Sequence, residues 1–367
     1  MKIVLDFRMF GPAFGLGRYN QKLLEHLFLI DKENQYIVLM RQVPKDIVWP
    51  TNFQAKIVNI GWYGLAEQLV LPVVLYRLKP DLVHFPHFNV PILYRAKFIV
   101  TIHDLIMTKF PSRKTSTLNY FTFIFKRLAY QIIIKSAVKR AQNIIAVSNF
   151  TAQDIINYFH LNKDQSQKIK VIYEGLSLIN EKQDIKLLYL PEKYFLYVGN
   201  AYPHKNLEFL IKTFKEFLLT HPDFYLILVG NKNYFYKHLE TWAKSYLASV
   251  SKQVIFAGFV ADEDLISYYR QAKAYIFPSL YEGFGLPALE AFQQQLAVLS
   301  SNSSCLPEVL GEAALYFDPS KTEDLLEKME MIIKNQDLKN KLILAGQEQL
   351  KKYSWQQAAQ DTLALYK

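Results

Sequence analysis

The chain has a single cysteine, Cys305, among 367 residues. An internal disulfide needs two cysteines and a cysteine-based zinc site needs at least two, so both are excluded. A lone cysteine is more often a small core residue than a nucleophile. One reduced thiol and no disulfide suit a reducing compartment.

Long apolar runs are also missing. No stretch approaches the roughly 20 apolar residues that a membrane-spanning helix requires. Residues 1–6 lead straight into a predicted strand, so we expect no export signal and a cytoplasmic location. Hydrophobic residues still make up 51% of the chain, which excludes a disordered protein. A length of 367 residues exceeds one ordinary core and predicts two domains.

Acidic residues are scarce in the first half of the chain. Residues 1–180 contain 23 Lys and Arg against 11 Asp and Glu, whereas residues 181–367 contain 20 against 22. The whole net charge of +10 therefore arises in the first half. Such a half favours an anionic partner, namely nucleic acid, a membrane surface or a phosphorylated substrate.

The core of this basic half is residues 115–140, where basic residues alternate with aromatic and aliphatic ones. A basic amphipathic helix with aromatics can lie in a membrane interface. A core helix with a solvated basic face explains the same pattern, and both interpretations stay open. If the first is correct, the protein is peripheral at the inner face of the cell membrane, bound to anionic lipid.

Short apolar runs alternate with helical patterns along the chain, which indicates a parallel sheet covered on both faces. Strands are predicted in the first half at 2–7, 36–40, 55–60, 82–85, 98–102, 143–147 and 170–172. After a polar stretch at 180–184, interpreted as a linker, the alternation restarts with strands at 194–198, 224–229, 254–256, 274–277, 297–299 and 314–317. The fold class is therefore α/β, with two tandem Rossmann-like domains facing a cleft. Their predicted bounds are 1–178 and 179–350, and a C-terminal helical segment, 351–367, packs back toward the first domain.

Residues 282–290, Glu-Gly-Phe-Gly-Leu-Pro-Ala-Leu-Glu, are the most informative stretch. They follow a predicted buried strand, at the edge where open α/β sheets bind ligands. Pro287 is favoured at a helix start, and helix N-termini bind phosphate. Glu282 before the helix and Glu290 within it can accept hydrogen bonds from hydroxyls. Glu282, the helix start and Glu290 therefore follow one another in the same order as the sugar, the diphosphate and the ribose of a nucleotide-sugar.

Lys205 follows the first strand of the second domain and is predicted near the start of the next helix. A cation is unfavourable at that end of a helix unless an anion binds there. An anion site is therefore predicted at Lys205, with a solvated surface lysine as the alternative.

Three further candidate residues of the first half lie in segments that follow predicted strands. His103 ends the strand at 98–102, where a structural role and a role in a site are about equally supported. Gly15 and Gly17 lie between the first strand and the first helix, where glycine allows close approach of a ligand. Their spacing is not the dinucleotide-binding fingerprint, and a plain flexible loop explains it nearly as well.

Asp262 and Asp264 could form a carboxylate metal site. They also stand directly before a helical pattern, where Asp262 as an N-cap and an acidic first turn explain them fully. We expect no metal and no cofactor.

With these motifs in place, the chain resembles the retaining glycosyltransferases of family 4 over nearly its whole length. The resemblance rests on the following segments: Gly15 and Gly17, 102–104, 147–150, 203–206, 282–290 and 353–355. It implies the glycosyltransferase-B fold and a metal-independent hexosyl transfer from a nucleoside diphosphate sugar to a glycan or lipid-linked acceptor. The Pro-His-Lys-Asn form of the lysine loop is similar to mannosyltransferases of the family and favours GDP-mannose over a UDP-sugar.

The resemblance also implies roles for single residues. Lys205 would pair with the diphosphate, Glu282 would bind sugar hydroxyls and Glu290 would hold the ribose. His103 would contact the sugar near the reacting carbon. The remaining donor-binding positions are the backbone of Phe284, Gly285 and Leu286, the loop glycines Gly15 and Gly17, and Phe259 and Val260 near the base.

One departure from the family concerns charge. Many relatives carry an arginine just before the lysine or several residues upstream, where this chain has His204 and Asn200. Both remain donor-binding candidates, but Lys205 would stabilise the leaving group with less help. No carboxylate is an evident nucleophile, so the resemblance favours front-face attack, with catalytic roles for His103, Lys205 and Glu282.

Two other functions remain as alternatives. A nucleotide-sugar epimerase shares the two-domain architecture. A basic peripheral membrane protein without catalysis would explain the charge of the first half, though not the motifs at Lys205 and Glu282. Nucleic acid is not an expected partner.

Overall fold

The computed structural model describes residues 1–11, 15–110, 119–176 and 188–367. These residues fall into two units: 1–110, 119–176 and 353–367 form the first, and 188–352 form the second. The predicted linker at 180–184 lies outside the described residues. The prediction of two parallel α/β domains is confirmed.

The first unit is built on a seven-stranded parallel sheet with the order β3-β2-β1-β4-β5-β6-β7. Its elements are β1 Lys2–Asp6, α1 Gly15–Ile30, β2 Gln35–Met40, β3 Phe53–Ile57, α2 Leu65–Leu78, β4 Leu82–Phe85, β5 Phe98–Ile102, α3 Ile106–Lys109, α4 Tyr120–Arg140, β6 Asn143–Ala146, α5 Asn149–Phe159, α6 Lys163–Ser166 and β7 Ile169–Val171. Every residue of β4 and β5 is buried, as expected for parallel strands covered on both faces.

The second unit repeats this architecture with a six-stranded parallel sheet of order β10-β9-β8-β11-β12-β13. Its elements are β8 Tyr194–Val198, α7 Leu207–Phe217, β9 Tyr225–Val229, α8 Tyr234–Leu247, β10 Val254–Gly258, α9 Asp262–Gln271, β11 Ala274–Phe277, α10 Leu286–Gln293, β12 Val298–Ser301, α11 Leu306–Leu310, β13 Ala314–Phe317, α12 Thr322–Lys334 and α13 Gln336–Leu350. Short 3₁₀ turns cover Pro203–Lys205, Ala248–Gln253 and Gly311–Ala313.

The last helix, α14 Trp355–Ala364, belongs to the first unit. Its Trp355 lies in the same apolar core as Tyr19 of α1, and the two rings meet edge to face with centroids 5.5 Å apart. Gly175, in the segment after β7, lies so close to Trp355 that an added Cβ would be 2.1 Å from the Trp355 backbone nitrogen. The chain therefore returns to the first unit after completing the second.

Each sheet has one point where its strand order reverses. In the first sheet this point lies between β1 and β4, and in the second it lies between β8 and β11. Ligands of open α/β sheets bind outside the carboxyl ends of the strands at such a switch point. The loops after β1, β4, β8 and β11 are therefore the places to look for a site.

Among the described residues, no helix is both long and apolar enough to cross a bilayer.

Candidate active site

In the second unit, the switch point brings together the two most informative motifs of the sequence. Lys205 lies at the end of the 3₁₀ turn after β8, and Glu282 lies in the loop after β11. The Lys205 Nζ is 2.6 Å from Oε1 and 2.8 Å from Oε2 of Glu282. The Lys205 side chain is 14% exposed and that of Glu282 is 9% exposed, so this ion pair is largely shielded from water. The Leu280 amide also donates to the His204 carbonyl over 2.8 Å, which ties the two loops together.

The loop after β12 holds the backbone of Glu282 in place. Its amide donates to the Ser304 Oγ over 3.0 Å, and that hydroxyl donates in turn to the Ser303 carbonyl over 2.7 Å. Ser304 itself has a left-handed backbone with φ 56°, which is uncommon for a residue with a side chain. The loop after β12 thereby fixes the position from which Glu282 meets Lys205.

Gly285 turns the chain into α10. Its φ is 104°, and an added Cβ would be 2.9 Å from the Leu306 Cδ2. Only glycine adopts this conformation without strain. The helix begins at Leu286, one residue earlier than predicted, and Pro287 lies in its first turn. The amide end of α10 therefore begins at Leu286, four residues after Glu282, and such a helix start can bind an anion.

Glu290 lies one turn into α10 and is half-buried. The Tyr269 hydroxyl donates to its Oε2 over 3.1 Å and lies 3.3 Å from the Pro287 carbonyl. This contact orients the Glu290 carboxylate. Glu282 and Glu290 therefore lie on either side of the helix start with different partners, a lysine and a tyrosine.

The loop after β8 carries the two residues that replace the family's arginines. Tyr197 donates to the Asn200 carbonyl over 2.8 Å, and the Asn200 Oδ1 accepts from the Tyr202 amide over 3.2 Å. His204 is buried, and burial together with the charge of Lys205 lowers its pKa to about 4. His204 is therefore neutral at pH 7, and Lys205 is the cation of this loop.

Phe259 and Val260 follow the turn at the end of β10. Gly258 there has φ 79°, and its carbonyl accepts from the Gly230 amide over 2.9 Å. Phe259 is 73% exposed, which leaves an aromatic face accessible on this loop.

In the first unit, His103 lies directly after β5 and both of its ring nitrogens have partners. Nδ1 is 2.9 Å from the Glu174 Oε1, and Nε2 is 3.0 Å from the Pro86 carbonyl. Burial opposes protonation, but the hydrogen bond and charge of Glu174 outweigh it and raise the His103 pKa. Since a carboxylate and a carbonyl can only accept, the imidazolium satisfies both contacts. Tyr19 packs edge to face against the ring, with centroids 4.7 Å apart.

The glycine loop is described in part, since residues 12–14 lie outside the described residues. Gly17 in α1 is packed so tightly that an added Cβ would be 2.0 Å from the Gly11 carbonyl oxygen. Gly15 has no such neighbour among the residues that the structure describes. Close backbone packing is therefore the observed reason for glycine at 17, while the donor-binding roles of both glycines stay predictions.

Two features of the site were not predicted. The partnership of Glu174 with His103 was missed, although both follow strands of one parallel sheet and so share its carboxyl edge. The role of Ser304 could not be found because no motif marks it.

The interpretation of Asp262 as an N-cap is wrong: Ala261 flanks α9, and Asp262 is the first helical residue, in an acidic first turn. Within the described ranges, no cluster of three His, Cys, Asp or Glu side chains could hold a metal ion.

Two protein-family models match consecutive parts of the chain. The model described as "Glycosyltransferase Family 4" matches residues 38–178, and the one described as "Glycosyl transferases group 1" matches residues 179–349. Together they span both units and the motifs at His103, Lys205 and Glu282.

Known relatives agree with these models. The chain is 30% identical over 369 residues to the serotype-specific mannosyltransferase WbdA of Escherichia coli, covering 92% of this chain and 43% of WbdA. It thus spans about two fifths of that relative's length. It is 26% identical over 386 residues to the O-antigen chain mannosyltransferase B of Escherichia coli, covering 97% and 96% of the two chains.

Solved structures agree on the fold. Sucrose-phosphate synthase from Thermosynechococcus elongatus superposes with a TM-score of 0.74 at 19% identity, covering 100% of this chain and 98% of the other. At this identity the similarity concerns the architecture of the chain alone.

Proposed function

Because the chain belongs to the family 4 glycosyltransferases and has their glycosyltransferase-B fold, we propose that it moves a hexose from a nucleoside diphosphate sugar to an acceptor. The acceptor is a glycan or a lipid-linked sugar, and the transfer proceeds with retention and without a metal. The observation that supports this most is the Lys205–Glu282 pair at the switch point of the second sheet, next to the start of α10.

The pair suggests how a donor would bind. Lys205 and Glu282 neutralise each other in the structure. A diphosphate beside Lys205 would supply a second anionic partner and free carboxylate lone pairs of Glu282 for sugar hydroxyls. The amides of Phe284, Gly285 and Leu286 would receive diphosphate and sugar oxygens, and Glu290 would take the ribose hydroxyls.

The residues around this centre complete the proposed donor site. Asn200 and His204 would line the diphosphate, and the exposed ring of Phe259 with Val260 would contact the base. Gly15 and Gly17 would close over the phosphate. Since His204 is neutral at pH 7, stabilisation of the leaving group falls mainly to Lys205, and such electrostatic stabilisation is usually the largest catalytic contribution.

The geometry of the carboxylates favours front-face attack. Both oxygens of Glu282 are held by Lys205, and Glu174 is held by His103. In the proposed step the acceptor oxygen bonds to the anomeric carbon on the face from which the phosphate leaves. The bond between that carbon and the phosphate oxygen breaks, and the acceptor's proton passes to the departing phosphate. His103 would contact the sugar through its ring rather than act as a base, because Glu174 and the Pro86 carbonyl already hold both of its ring nitrogens.

Mannose is the favoured sugar, with GDP as its carrier. Both relatives described above are named mannosyltransferases, and the lysine loop has the mannosyltransferase form. A glucose-type UDP donor is the second candidate.

The test is calorimetric titration with GDP and UDP, followed by NMR of mixtures of the enzyme with GDP-mannose or UDP-glucose and methyl α-mannoside. Binding of one nucleotide and a new glycoside of retained configuration, with EDTA present, is expected. No nucleotide binding would exclude the transferase, and conversion of the nucleotide sugar into its epimer without acceptor would identify an epimerase instead. A product of inverted configuration would exclude the front-face step.

We also propose that the first unit contacts an anionic membrane through the outer sides of α2 and α4. Both helices pack on the same side of the sheet, in one apolar core. The large apolar side chains that they leave 43% to 80% exposed are Leu65, Leu69, Val70, Val73 and Tyr76 of α2 and Phe121, Ile124, Phe125, Leu128 and Ile132 of α4. Monomeric soluble proteins rarely expose so many large apolar side chains on one side of a domain.

The charges beside these side chains support a lipid partner. α4 contains no acidic residue, and the one acid of α2, Glu67, is buried. Exposed Lys126, Arg127 and Lys135 lie among the apolar residues of α4. A surface with cations but no exposed acids complements anionic headgroups, whereas two copies of it would repel each other.

A further inference from the structure

The switch point of the first sheet holds a second polar cluster that the proposed donor site does not use. Arg8, just after β1, donates to Asp6 over 2.6 and 2.8 Å and to the Glu67 Oε1 over 2.6 Å. The other oxygen of Glu67 accepts from the Tyr63 amide over 2.8 Å and from the side chain of Asn89. Arg8, Asp6, Glu67 and Asn89 are all at most 8% exposed.

These residues surround a small cavity. Its volume is about 20 Å³, and its wall is formed by Asp6, Arg8, Met9, Glu67, Phe85, Pro86, His87 and Asn89. This is room for one water molecule or one hydroxyl group. Its wall comes from the carboxyl ends of β1 and β4, from the loops after them and from Glu67 of α2. β1 and β4 are the neighbouring strands at which the strand order reverses.

One wall residue has hydrogen-bonding capacity to spare. The His87 Nδ1 is buried and has no hydrogen-bond partner among the described residues. Burial, followed by the nearby charge of His103, lowers the His87 pKa to about 3, so the ring is neutral. A buried nitrogen without a partner is costly, and a ligand group would remove that cost.

The charge of the wall determines the kind of ligand. Two carboxylates and one guanidinium leave one net negative charge, which disfavours phosphate or carboxylate. The carboxylate oxygens instead suit a neutral group that donates a hydrogen bond. A sugar hydroxyl meets the limits of size, charge and hydrogen bonding together.

The cavity also adjoins the residue proposed to meet the reacting sugar. Pro86 forms part of its wall, and the carbonyl of the same residue holds the His103 Nε2 at 3.0 Å. His87 follows directly. A hydroxyl bound in the cavity would therefore place its sugar ring beside His103.

We propose that this cavity is an acceptor subsite, which takes one hydroxyl group of a neutral acceptor sugar with His87 Nδ1 as its partner. This inference rests on the proposed function, because an acceptor exists only for a transferase. His87 is its specific contact, and the Asp6–Arg8–Glu67 network holds the wall in place.

A matched pair of substitutions tests the role of His87. The amide of His87→Asn lies near the position of Nδ1, whereas the amide of His87→Gln lies near the position of Nε2. The dissociation constant of methyl α-mannoside would be measured by saturation-transfer NMR, with GDP at saturation. His87→Gln is expected to weaken mannoside binding about tenfold, while His87→Asn retains most of it. The control His26→Gln, on α1, should match the wild type.

Donor measurements on the same variants separate this inference from the proposed function. The affinities for GDP and GDP-mannose should be unchanged in His87→Gln. Wild-type protein that binds GDP but neither methyl α-mannoside nor methyl α-glucoside would overturn the subsite alone. The subsite would also be overturned if His87→Gln bound methyl α-mannoside as tightly as the wild type, or if it lost affinity for GDP-mannose alone. Absence of any nucleotide binding would instead remove the proposed function.

Discussion

Lys205 donates to both carboxylate oxygens of Glu282 across the switch point of the second sheet, over 2.6 and 2.8 Å. The two residues form an ion pair that is largely shielded from water. Replacing one of them therefore changes both donor binding and the stability of the unit, and the two effects have to be measured separately.

We predict that Lys205→Ala lowers transfer by at least about a hundredfold, because the cation proposed to stabilise the leaving group is lost. It also leaves Glu282 largely buried without its partner, so the free energy of unfolding should fall by about 1–3 kcal/mol. Initial rates and urea denaturation measure the two effects. Lys212→Ala, an exposed lysine of α7, is the control. A Lys205→Ala enzyme that is folded and keeps most of its turnover would contradict the catalytic role.

Glu290→Ala should weaken GDP binding about tenfold or more while leaving the binding of inorganic pyrophosphate unchanged. The reason is that Glu290 is proposed to bind the ribose, which pyrophosphate lacks, and hydrogen bonds to charged groups contribute about 1.5–3 kcal/mol. Calorimetry with both ligands provides the measurement. Glu327→Ala, 62% exposed on α12, is the control. Equal loss of both ligands would assign Glu290 to the diphosphate or to the fold.

Gly285→Ala should destabilise the protein by about 1–3 kcal/mol, because φ is 104° there and the new methyl group would meet Leu306 at 2.9 Å. Thermal or urea unfolding measures the change. Gly61→Ala introduces the same methyl group where, apart from its chain neighbours, no described residue comes within 4 Å, and it should be nearly neutral. Equal stability of the two variants would show that the loop before α10 relaxes freely.

The raised pKa of His103 predicts a pH dependence of stability. A group whose pKa is higher in the folded state stabilises the fold fully below its unfolded pKa, about 6.5 for histidine. This contribution is lost as pH rises through the higher folded pKa. Glu174→Gln removes the charge that raises the pKa. The stability difference between wild type and this variant should therefore shrink as pH increases above about 6.5.

Urea denaturation from pH 5.5 to 9, with NMR titration of the His103 ring, checks this prediction. His84 and His87, whose pKa values burial lowers to about 3, change the stability with pH in the opposite direction. Their contributions are present in both proteins and cancel when the free energy of unfolding of the variant is subtracted from that of the wild type. A difference that is constant with pH would mean that Glu174 does not control His103 protonation.

The double substitution Leu69→Glu with Phe125→Glu should reduce binding to vesicles of anionic phospholipid at least tenfold, because it places two acids on the apolar surface of α2 and α4. Both positions are exposed, so stability should change little. Sedimentation at low and physiological salt gives the affinity and its electrostatic part. Leu219→Glu with Leu344→Glu, on exposed positions of the second unit, is the matched control. Vesicle binding unaffected by the first pair would exclude this surface.

Much of the fold follows from local patterns. The predicted strands 82–85, 98–102, 194–198, 274–277 and 314–317 have the observed bounds, because short apolar runs between polar segments define buried parallel strands. Other strand ends were less accurate: β3 covers Phe53–Ile57, whereas the prediction was 55–60. Part of the predicted basic helix, 115–118, lies outside the described residues, and α4 covers the rest from Tyr120.

The sequence marks the candidate residues one by one, but it does not show which of them are in contact. Lys205, Glu282 and His103 each follow a strand, which marks them individually. That Lys205 pairs with Glu282 depends on β8 and β11 being neighbours, and the order of strands in a sheet is not visible in a local pattern. The Arg8–Glu67 pair was missed for the same reason, since its residues are 59 positions apart.

The packing of Trp355 against Gly175 has a consequence for synthesis. Residues 353–367 complete the apolar core of the first unit, yet they are translated only after the whole second unit. While the second unit emerges from the ribosome, the first lacks Trp355, Ala358, Ala359 and Tyr366 from its core. The first unit therefore completes its apolar core only after the second unit has been translated.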